Sequence, residues 1–347
     1  MLDVLHLCHD LVVAPSPTGE EEPALIAAES RLRELRTPAS VAGNLRIERL
    51  EVDGRHRFDI AAWVGTPRAI LTTHLDTVPP GLPIRVSGDL LEGRGACDAK
   101  GSAASMLAAA EILLARGRSD FGILFVVGEE TTSDGALAAQ RHLENGTLPW
   151  TPRAALFGEP TDNRWVSAHA GALIARLVAH GRAAHSSHPE EGRSAVHALV
   201  ELGADLVRHP WPMGNDMPSS FNIGRIEGGA APNVIAERAS ADIMLRHGLD
   251  AREAMSEVAR IIDERCEMHL TCSSHAVRFG VPTGGDSFIA PFCTDAPCLP
   301  GLGMPYLLGP GSVLHAHAVD ERVTRDQLES ARDVYVQWME AQLENRS

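Results

Sequence analysis

The sequence predicts an α/β fold: a mostly parallel-sheet hydrolase domain with a smaller α+β domain inserted in it. Apolar runs at 69–73, 122–127 and 154–157 are typical of buried strands. The segment 102–116, SAASMLAAAEILLAR, has helical apolar spacing and lies between the first two runs, and a further helix is predicted at 21–36. Strands that alternate with helices favour a parallel sheet with helices on its faces.

From about residue 171 the pattern changes to that of a small α+β unit. Strands are predicted at 172–181 and 239–246, and amphipathic helices at 193–209 and 251–266. After about residue 280 short apolar runs followed by polar residues resume. We therefore expect a main domain formed by 1–169 and 279–347, and an inserted domain at 170–278.

Composition excludes several classes of protein. The chain has 347 residues, 44% of them hydrophobic, and a net charge of −15, which disfavours nucleic acid as a partner. No apolar run reaches the roughly 20 residues that span a bilayer, so no membrane partner is expected. The N-terminus lacks the basic start of a signal peptide, and the six cysteines form no CxxC pair. We expect a cytoplasmic protein with reduced thiols.

Acidic and histidine side chains recur where the predicted strands end. In open parallel sheets, ligands bind beyond the carboxyl ends of the strands. Imidazoles and carboxylates together are ligands for zinc, cobalt or manganese, and one bridging carboxylate suits a pair of ions roughly 3.5–4 Å apart. The residues in question are His74, Asp76, Asp98, Glu129, Glu130, Glu159 and His317.

Sequence spacing suggests roles for some of these side chains. His74 and Asp76 are two residues apart, so on extended chain they point the same way, and Asp76 is expected to orient His74 by accepting its second N–H. Glu129 and Glu130 are adjacent and should diverge. One of the two can then bind metal while the other acts as a general base.

The motifs together resemble the M20 family of metallo-aminoacylases and peptidases. The resemblance runs in order from APSPTGEE at 14–21 through HLDTV, GRGACDAKG, GEE, GEPT and GRAAHSS to GPGS and AHAVDE. Within the family, FNIGRIEGGAAPNVI at 221–235, DIMLR at 242–246 and CTDAPCLPGLGMPYLLGPGS at 293–312 are most similar to the acetylornithine deacetylase branch.

The resemblance implies a role for each residue and a homodimer formed through the inserted domain, which serves as a lid. Two divalent ions, zinc by preference, are implied. One ion is bound by His74, Asp98 and Glu159, and the other by Asp98, Glu130 and His317, with Asp98 bridging. Glu129 is the general base, and Asp76 orients His74. His185 stabilises the oxyanion, either within its own chain or, as in many relatives, across the dimer. Arg246 holds the substrate carboxylate in a pocket that Asn233 also lines.

Some features of the chain depart from the family pattern and leave the acyl-amino acid open. Ala170 stands where many relatives have lysine, and the segment between Asp76 and Asp98 is short. We expect hydrolysis of N-acetylornithine. The alternatives are deacylation of acetyl-lysine, acetylcitrulline or succinyl-diaminopimelate, an M20 dipeptidase, and a binding protein that has lost catalysis. His315 is an alternative ligand to His317, which the AHxxDE context favours.

Overall fold

The computed structural model describes residues 2–39, 41, 43–54, 57–214 and 216–344. These residues form two compact units. The first unit comprises 1–167, 279–288 and 294–347, and the second comprises 168–278 and 289–293.

The helices and strands alternate through the first unit, and the second unit has longer strands. The helices are α1 (Val4–Val13), α2 (Glu22–Glu34), α3 (Lys100–Ala115), α4 (Asp134–Glu144), α5 (Ala195–Arg208), α6 (Ala251–Ile262) and α7 (Arg325–Glu344). The strands are β1 (Arg46–Glu51), β2 (Phe58–Val64), β3 (Ala69–His74), β4 (Arg85–Ser87), β5 (Leu90–Glu92), β6 (Phe121–Val126), β7 (Ala154–Phe157), β8 (Trp165–His169), β9 (Gly171–His180), β10 (Ser220–Gly228), β11 (Arg238–His247), β12 (Glu267–Ser273), β13 (Val277–Arg278), β14 (Ser287–Ala290), β15 (Met304–Leu307) and β16 (Arg322–Thr324).

The main sheet of the first unit has the strand order β1-β2-β6-β3-β7-β15. Strand β3 pairs in parallel with both β6 and β7, and β15 pairs in parallel with β7. Strands β1 and β2 add an antiparallel edge. The prediction of a mostly parallel sheet is therefore confirmed, and the three predicted buried strands are its central ones.

Helix α3 is the central helix of the first unit, and almost all of its side chains are buried. Its residues are mostly alanine, glycine, serine and leucine, and a helix that is apolar or small on every side is typically enclosed by neighbours. It packs against α1, α7 and β3. This packing fixes the N-terminal end of α3, which begins two residues after Asp98 in the chain.

The second unit contains an antiparallel sheet in the order β10-β11-β9-β12, against which α5 and α6 pack. Helix α5 begins after Ser194, whose side chain accepts from the His197 backbone N–H, and α6 begins with a capping box formed by Asp250 and Glu253. The prediction that this helix reaches residue 266 is wrong. It ends at Ile262 because Asp263 adopts a φ of 48°, outside the helical region.

Among the described residues, no helix combines the length and the apolar character needed to cross a membrane.

Candidate metal centre and substrate-binding residues

Three neighbouring strands deliver site residues to one edge of the main sheet. Strand β3 ends at His74, β6 leads into the turn that carries Glu129 and Glu130, and β7 leads to Glu159. Because β6, β3 and β7 are adjacent and parallel, their carboxyl ends meet at the same edge. Sites in open parallel sheets form beyond the carboxyl ends of the strands, which explains why separate parts of the chain converge here.

Asp98 lies between the two histidines of the site. Its Oδ1 is 3.2 Å from Nε2 of His74, and its Oδ2 is 3.2 Å from Nε2 of His317. On the first side, Nε2 of His74 is also 3.7 Å from Oε2 of Glu159. On the second side, Nε2 of His317 is 2.9 Å from Oε2 of Glu130. The structure therefore brings together all five residues predicted as ligands, in two groups that share Asp98.

Asp76 has a wider set of contacts than the sequence suggested. Nδ1 of His74 lies 3.0 Å from its backbone carbonyl oxygen and 3.4 Å from its carboxylate Oδ1, so the shorter contact is with the main chain. The carboxylate accepts from the backbone N–H groups of Glu129 at 3.1 Å and Glu130 at 3.2 Å, and from the Thr18 hydroxyl at 2.8 Å. Asp76 therefore holds the turn that carries both glutamates.

Burial and close approach shift several pKa values in the site. Burial raises the pKa of Glu159 to about 7 and that of Glu129 well above its usual range. Hydrogen bonds with Asp98 and Glu130 raise the pKa of His317 to about 10. Burial opposes ionisation of His74 and Asp98, but their mutual contacts and neighbouring charges outweigh it. They raise the pKa of His74 and hold that of Asp98 well below its usual value.

The donor set fits a pair of zinc-type ions. Two imidazole nitrogens and three carboxylates converge, and mixed nitrogen and oxygen ligands of this kind suit borderline divalent metals. Among the described residues, no lysine or arginine forms an ion pair with Asp98, Glu130 or Glu159. The positive charge that these carboxylates require must come from protons on the histidines or from bound cations.

Other histidines have different partners. Nε2 of His315 lies 3.0 Å from the Arg322 guanidinium, which can only donate, so that nitrogen is already used as an acceptor.

A second group of potential ligands, His6, His9 and Asp10, lies on α1, where Asp10 already pairs with Arg31 at 2.6 Å. The six cysteines are all free thiols.

The second unit contains the predicted oxyanion and carboxylate residues. His185 is exposed, and its Nδ1 accepts from the Ser187 backbone N–H at 3.2 Å. Because a backbone N–H only donates, a neutral His185 carries its proton on Nε2. The backbone oxygen of Asn233 accepts from the Ser186 N–H at 3.0 Å, beside a cavity of about 590 Å³ lined by residues from both loops.

Within one chain, Arg246 lies far from the loop that carries Asn233. The loop of Asn233 leads into β11 at Arg238, which pairs with His180, whereas Arg246 pairs with Ala172 at the other end of the strand. Eight extended residues separate these ends by about 26 Å. Arg246 contacts Cys293 Sγ at 3.8 Å, and no carboxylate among the described residues lies within ion-pair distance of it.

Comparison with known proteins identifies the family. Residues 167–278 match the model of the peptidase dimerisation domain. A peptidase M20 domain-containing protein of Schizosaccharomyces pombe is 34% identical over 296 residues, which cover 82% of this chain and 72% of the relative. A probable carboxypeptidase of Aspergillus fumigatus is 34% identical over 324 residues, with 83% and 73% covered.

Solved structures share the fold at low sequence identity. A tripeptidase of Staphylococcus aureus superposes with a TM-score of 0.80 and 18% identity, covering 98% of both chains. A dinuclear metal-binding M20 peptidase of Bacillus subtilis gives a TM-score of 0.71 and 16% identity, also with 98% of both chains covered. The chain therefore belongs to the M20 peptidase family of metal-dependent amide hydrolases.

Proposed function

We propose that this chain removes the acyl group from an N-acyl amino acid by means of two divalent ions, zinc by first choice, and that N-acetylornithine is its substrate. The observation that carries the proposal is the position of Asp98, whose two oxygens each lie 3.2 Å from a different histidine Nε2. A carboxylate that faces two ligand groups in this way is suited to bridge two ions.

His74, Asp98 and Glu159 would hold one ion, and Asp98, Glu130 and His317 the other. When bound, such ions polarise the acyl carbonyl and lower the pKa of a coordinated water. The buried position of His74 and its contact with Asp76 fix the ring so that Nε2 faces the site. This arrangement supports the ligand assignment that the sequence suggested.

Glu129 is the general base in this proposal. It is adjacent to the proposed ligand Glu130, and the Asp76 carboxylate accepts from the backbone N–H groups of both glutamates, which holds the turn that carries them. Burial raises the pKa of Glu129, which brings its proton affinity closer to that needed for general acid and base work near neutral pH. Glu129 would take a proton from the attacking water and deliver it to the leaving amine.

The leaving group in this proposal is an amino acid with a free α-carboxylate. Arg246 is charged and has no acidic partner among the described residues, so its guanidinium is available to bind that carboxylate. His185, with its N–H on Nε2, would donate to the oxyanion. A carboxypeptidase also releases an amino acid with a free carboxylate. The Aspergillus relative's name therefore favours a second candidate, hydrolysis of a short peptide.

We infer a homodimer from the separation of Arg246 from His185 and Asn233. Arg246 lies near one end of β11, whereas His185 and Asn233 lie in paired loops beside the other end, so one small substrate does not span them within one chain. In a two-fold dimer, each site can take Arg246 from one copy and His185 from the other. The match to a peptidase dimerisation domain supports this arrangement.

The substrate proposal is tested with a hydrolysis panel on zinc-loaded protein. The panel contains N-acetylornithine, acetyl-lysine, acetylcitrulline, succinyl-diaminopimelate and dipeptides that end in the same amino acids, and the Glu129→Gln protein is the control. We expect N-acetylornithine to be hydrolysed with the highest kcat/KM. A preference for the dipeptides would replace the deacylase with a peptidase. A protein that binds two ions but hydrolyses none of these amides would refute the proposed reaction.

The dimer proposal is tested by mixing two impaired variants, His185→Ala and Arg246→Ala, after dissociation and reassembly. A heterodimer then has one site with both changes and one site with neither. Random assembly makes half of the dimers heterodimers, so we expect about a quarter of wild-type activity to return. Activity that stays at the level of the separate variants would show that the two residues do not complete one site across the dimer.

A further inference from the structure

Glu321 is a buried carboxylate close to the metal centre but outside the ligand set. It lies four residues after His317, and its side chain is only 1% exposed. Its Oε1 accepts from the backbone N–H groups of Cys97 and Asp98, both at 3.2 Å. Its Oε2 accepts from Nη1 of Arg94 at 2.7 Å. Both carboxylate oxygens of Glu321 are thus engaged with the segment that carries Asp98.

Arg94 extends this contact to a third segment. The Arg94 side chain is 8% exposed and also donates to the backbone oxygens of Pro80 and Ala318, each at 3.2 Å. The Glu321 backbone oxygen in turn accepts from the Gly93 N–H at 3.0 Å. The buried pair therefore ties together the loop after β3, the loop before α3 and the loop that carries His317.

We propose that Glu321, paired with Arg94, is a positioning residue that sets the bridging carboxylate of Asp98 against His317. The inference rests on the proposed two-ion site. Asp98 and His317 are more than 200 residues apart in sequence, and Glu321 holds the Asp98 main chain while belonging to the His317 loop. Since one side chain connects both loops, a change in it alters the distance between the two ligands.

The ligand geometry is sensitive to such a change. A bridging carboxylate must reach two ions roughly 3.5–4 Å apart, so a small shift of its main chain changes its distance to both ions. Outer contacts that orient ligands typically change metal affinity or activity by about 10- to 100-fold when they are removed. Replacing Glu321 by glutamine keeps the size of the side chain, but it removes the charge opposite Arg94 and places an amide N–H₂ where one acceptor oxygen stood.

A purely structural role is the alternative, and a matched variant separates the two. Glu29 is also buried, and its carboxylate pairs with Arg49 at 2.6 Å and with Arg33. Neither arginine contacts the metal centre, so Glu29→Gln removes a comparable buried charge at a place where no ligand depends on it. Both glutamine variants are expected to lower the melting temperature.

The test measures zinc and cobalt binding by metal-free protein, together with the visible spectrum of the cobalt form, which reports ligand geometry without any substrate. We expect Glu321→Gln to weaken metal binding by about 10- to 100-fold and to change the cobalt spectrum. Glu29→Gln should leave both unchanged. Wild-type affinity and an unchanged spectrum in folded Glu321→Gln would overturn the proposal.

Glu321→Asp provides the test if the glutamine variant does not fold. It keeps the charge, but its shorter side chain cannot reach Arg94 and the two N–H groups together, so its metal affinity should fall while that of Glu29→Asp should not. Unchanged affinity in Glu321→Asp would equally overturn the inference. Wild-type protein that binds no stoichiometric metal would instead refute the proposed two-ion function itself.

Discussion

Metal binding should release protons, and their number follows from the pKa values of the site. At pH 7 in metal-free protein, the pKa of His317, raised to about 10 by its contacts with Asp98 and Glu130, keeps that ring protonated, and neighbouring carboxylates raise the pKa of His74 above its usual value. Glu159, with its pKa raised to about 7 by burial, is half protonated. Asp98 carries no proton, because its contacts with the two histidines hold its pKa well below its usual range.

Metal ligands bind through lone pairs, so these protons must leave when the ions enter. At pH 7, His317 should therefore release about one proton and Glu159 about half a proton, and the raised pKa of His74 adds to this release. The protons of His74 and Glu159 leave when one ion binds, and the proton of His317 leaves when the other binds. Between pH 7 and 9, the Kd of the ion bound by His317 should fall about tenfold per pH unit, because its binding displaces one proton from that ring.

Isothermal titration calorimetry with zinc in buffers of different ionisation enthalpy measures the released protons directly. The His315→Gln protein is the control, because His315 is occupied by Arg322 and should not contribute to the count. Release of less than one proton per chain at pH 7, or a Kd that is constant across pH 7 to 9, would refute the assignment of protons to these ligands.

The same groups set how the stability of metal-free protein depends on pH. Glu159 and His317 have folded-state pKa values above their unfolded values, so each contributes stability that is fully present below its unfolded pKa. That contribution is lost between about pH 4.5 and 7 for Glu159, and between about pH 6.5 and 10 for His317. The melting temperature of metal-free protein should therefore fall as the pH rises from 5 to 9. Added zinc should raise the melting temperature more at pH 8 than at pH 5.

The remaining predictions concern metal content and two side chains. Elemental analysis should find two divalent ions per chain, and chelation should abolish amide hydrolysis; a His6→Gln, His9→Gln double variant corrects for any ion bound on α1. Glu129→Gln should keep both ions and lose about 10²- to 10⁴-fold in kcat, whereas Glu130→Gln should lose metal; the opposite pattern would exchange their roles. Arg246→Ala should lower kcat/KM about 10- to 100-fold on substrates with a free carboxylate and little on the matching amides, since a hydrogen bond to a charged group contributes about 1.5–3 kcal/mol. An equal loss on both would assign Arg246 to folding of the second unit.

The sequence was most informative where topology forces side chains together. An apolar run that ends in His74 and another that ends before Glu129 predict neighbouring parallel strands, and the carboxyl ends of such strands meet at one edge. Adjacency of β6, β3 and β7 then follows from the parallel pairing, and so does the convergence of their polar ends. The apolar pattern therefore predicts the strands, and the strands position the side chains at their ends.

Contacts between side chains and loop backbone could not be predicted in the same way. The Asp76 carboxylate accepts two backbone N–H groups of the glutamate turn, and Glu321 accepts two from the Asp98 segment. The direction of a loop N–H depends on local φ and ψ, which no periodic pattern encodes. The separation of Arg246 from Asn233 was missed for another reason, because sequence motifs list residues without the length of the strand between them.

The charge balance of the metal centre explains why these loop contacts are needed. Burial disfavours three carboxylates there: it raises the pKa of Glu159 and Glu129, and it also raises that of the neighbouring Asp295 to about 7. Without metal, protonated histidines supply the compensating charge, and the site is held by hydrogen bonds between ligands. With metal bound, the hydrogen bonds between ligands would be lost. The ligand side chains would then repel one another or move unless other contacts fixed their main chains. Asp76 and the Glu321–Arg94 pair contact the main chain of the ligand segments, and these contacts use no side-chain atom of a proposed ligand. We therefore expect the main chains of the ligands to stay in place when ions exchange with protons.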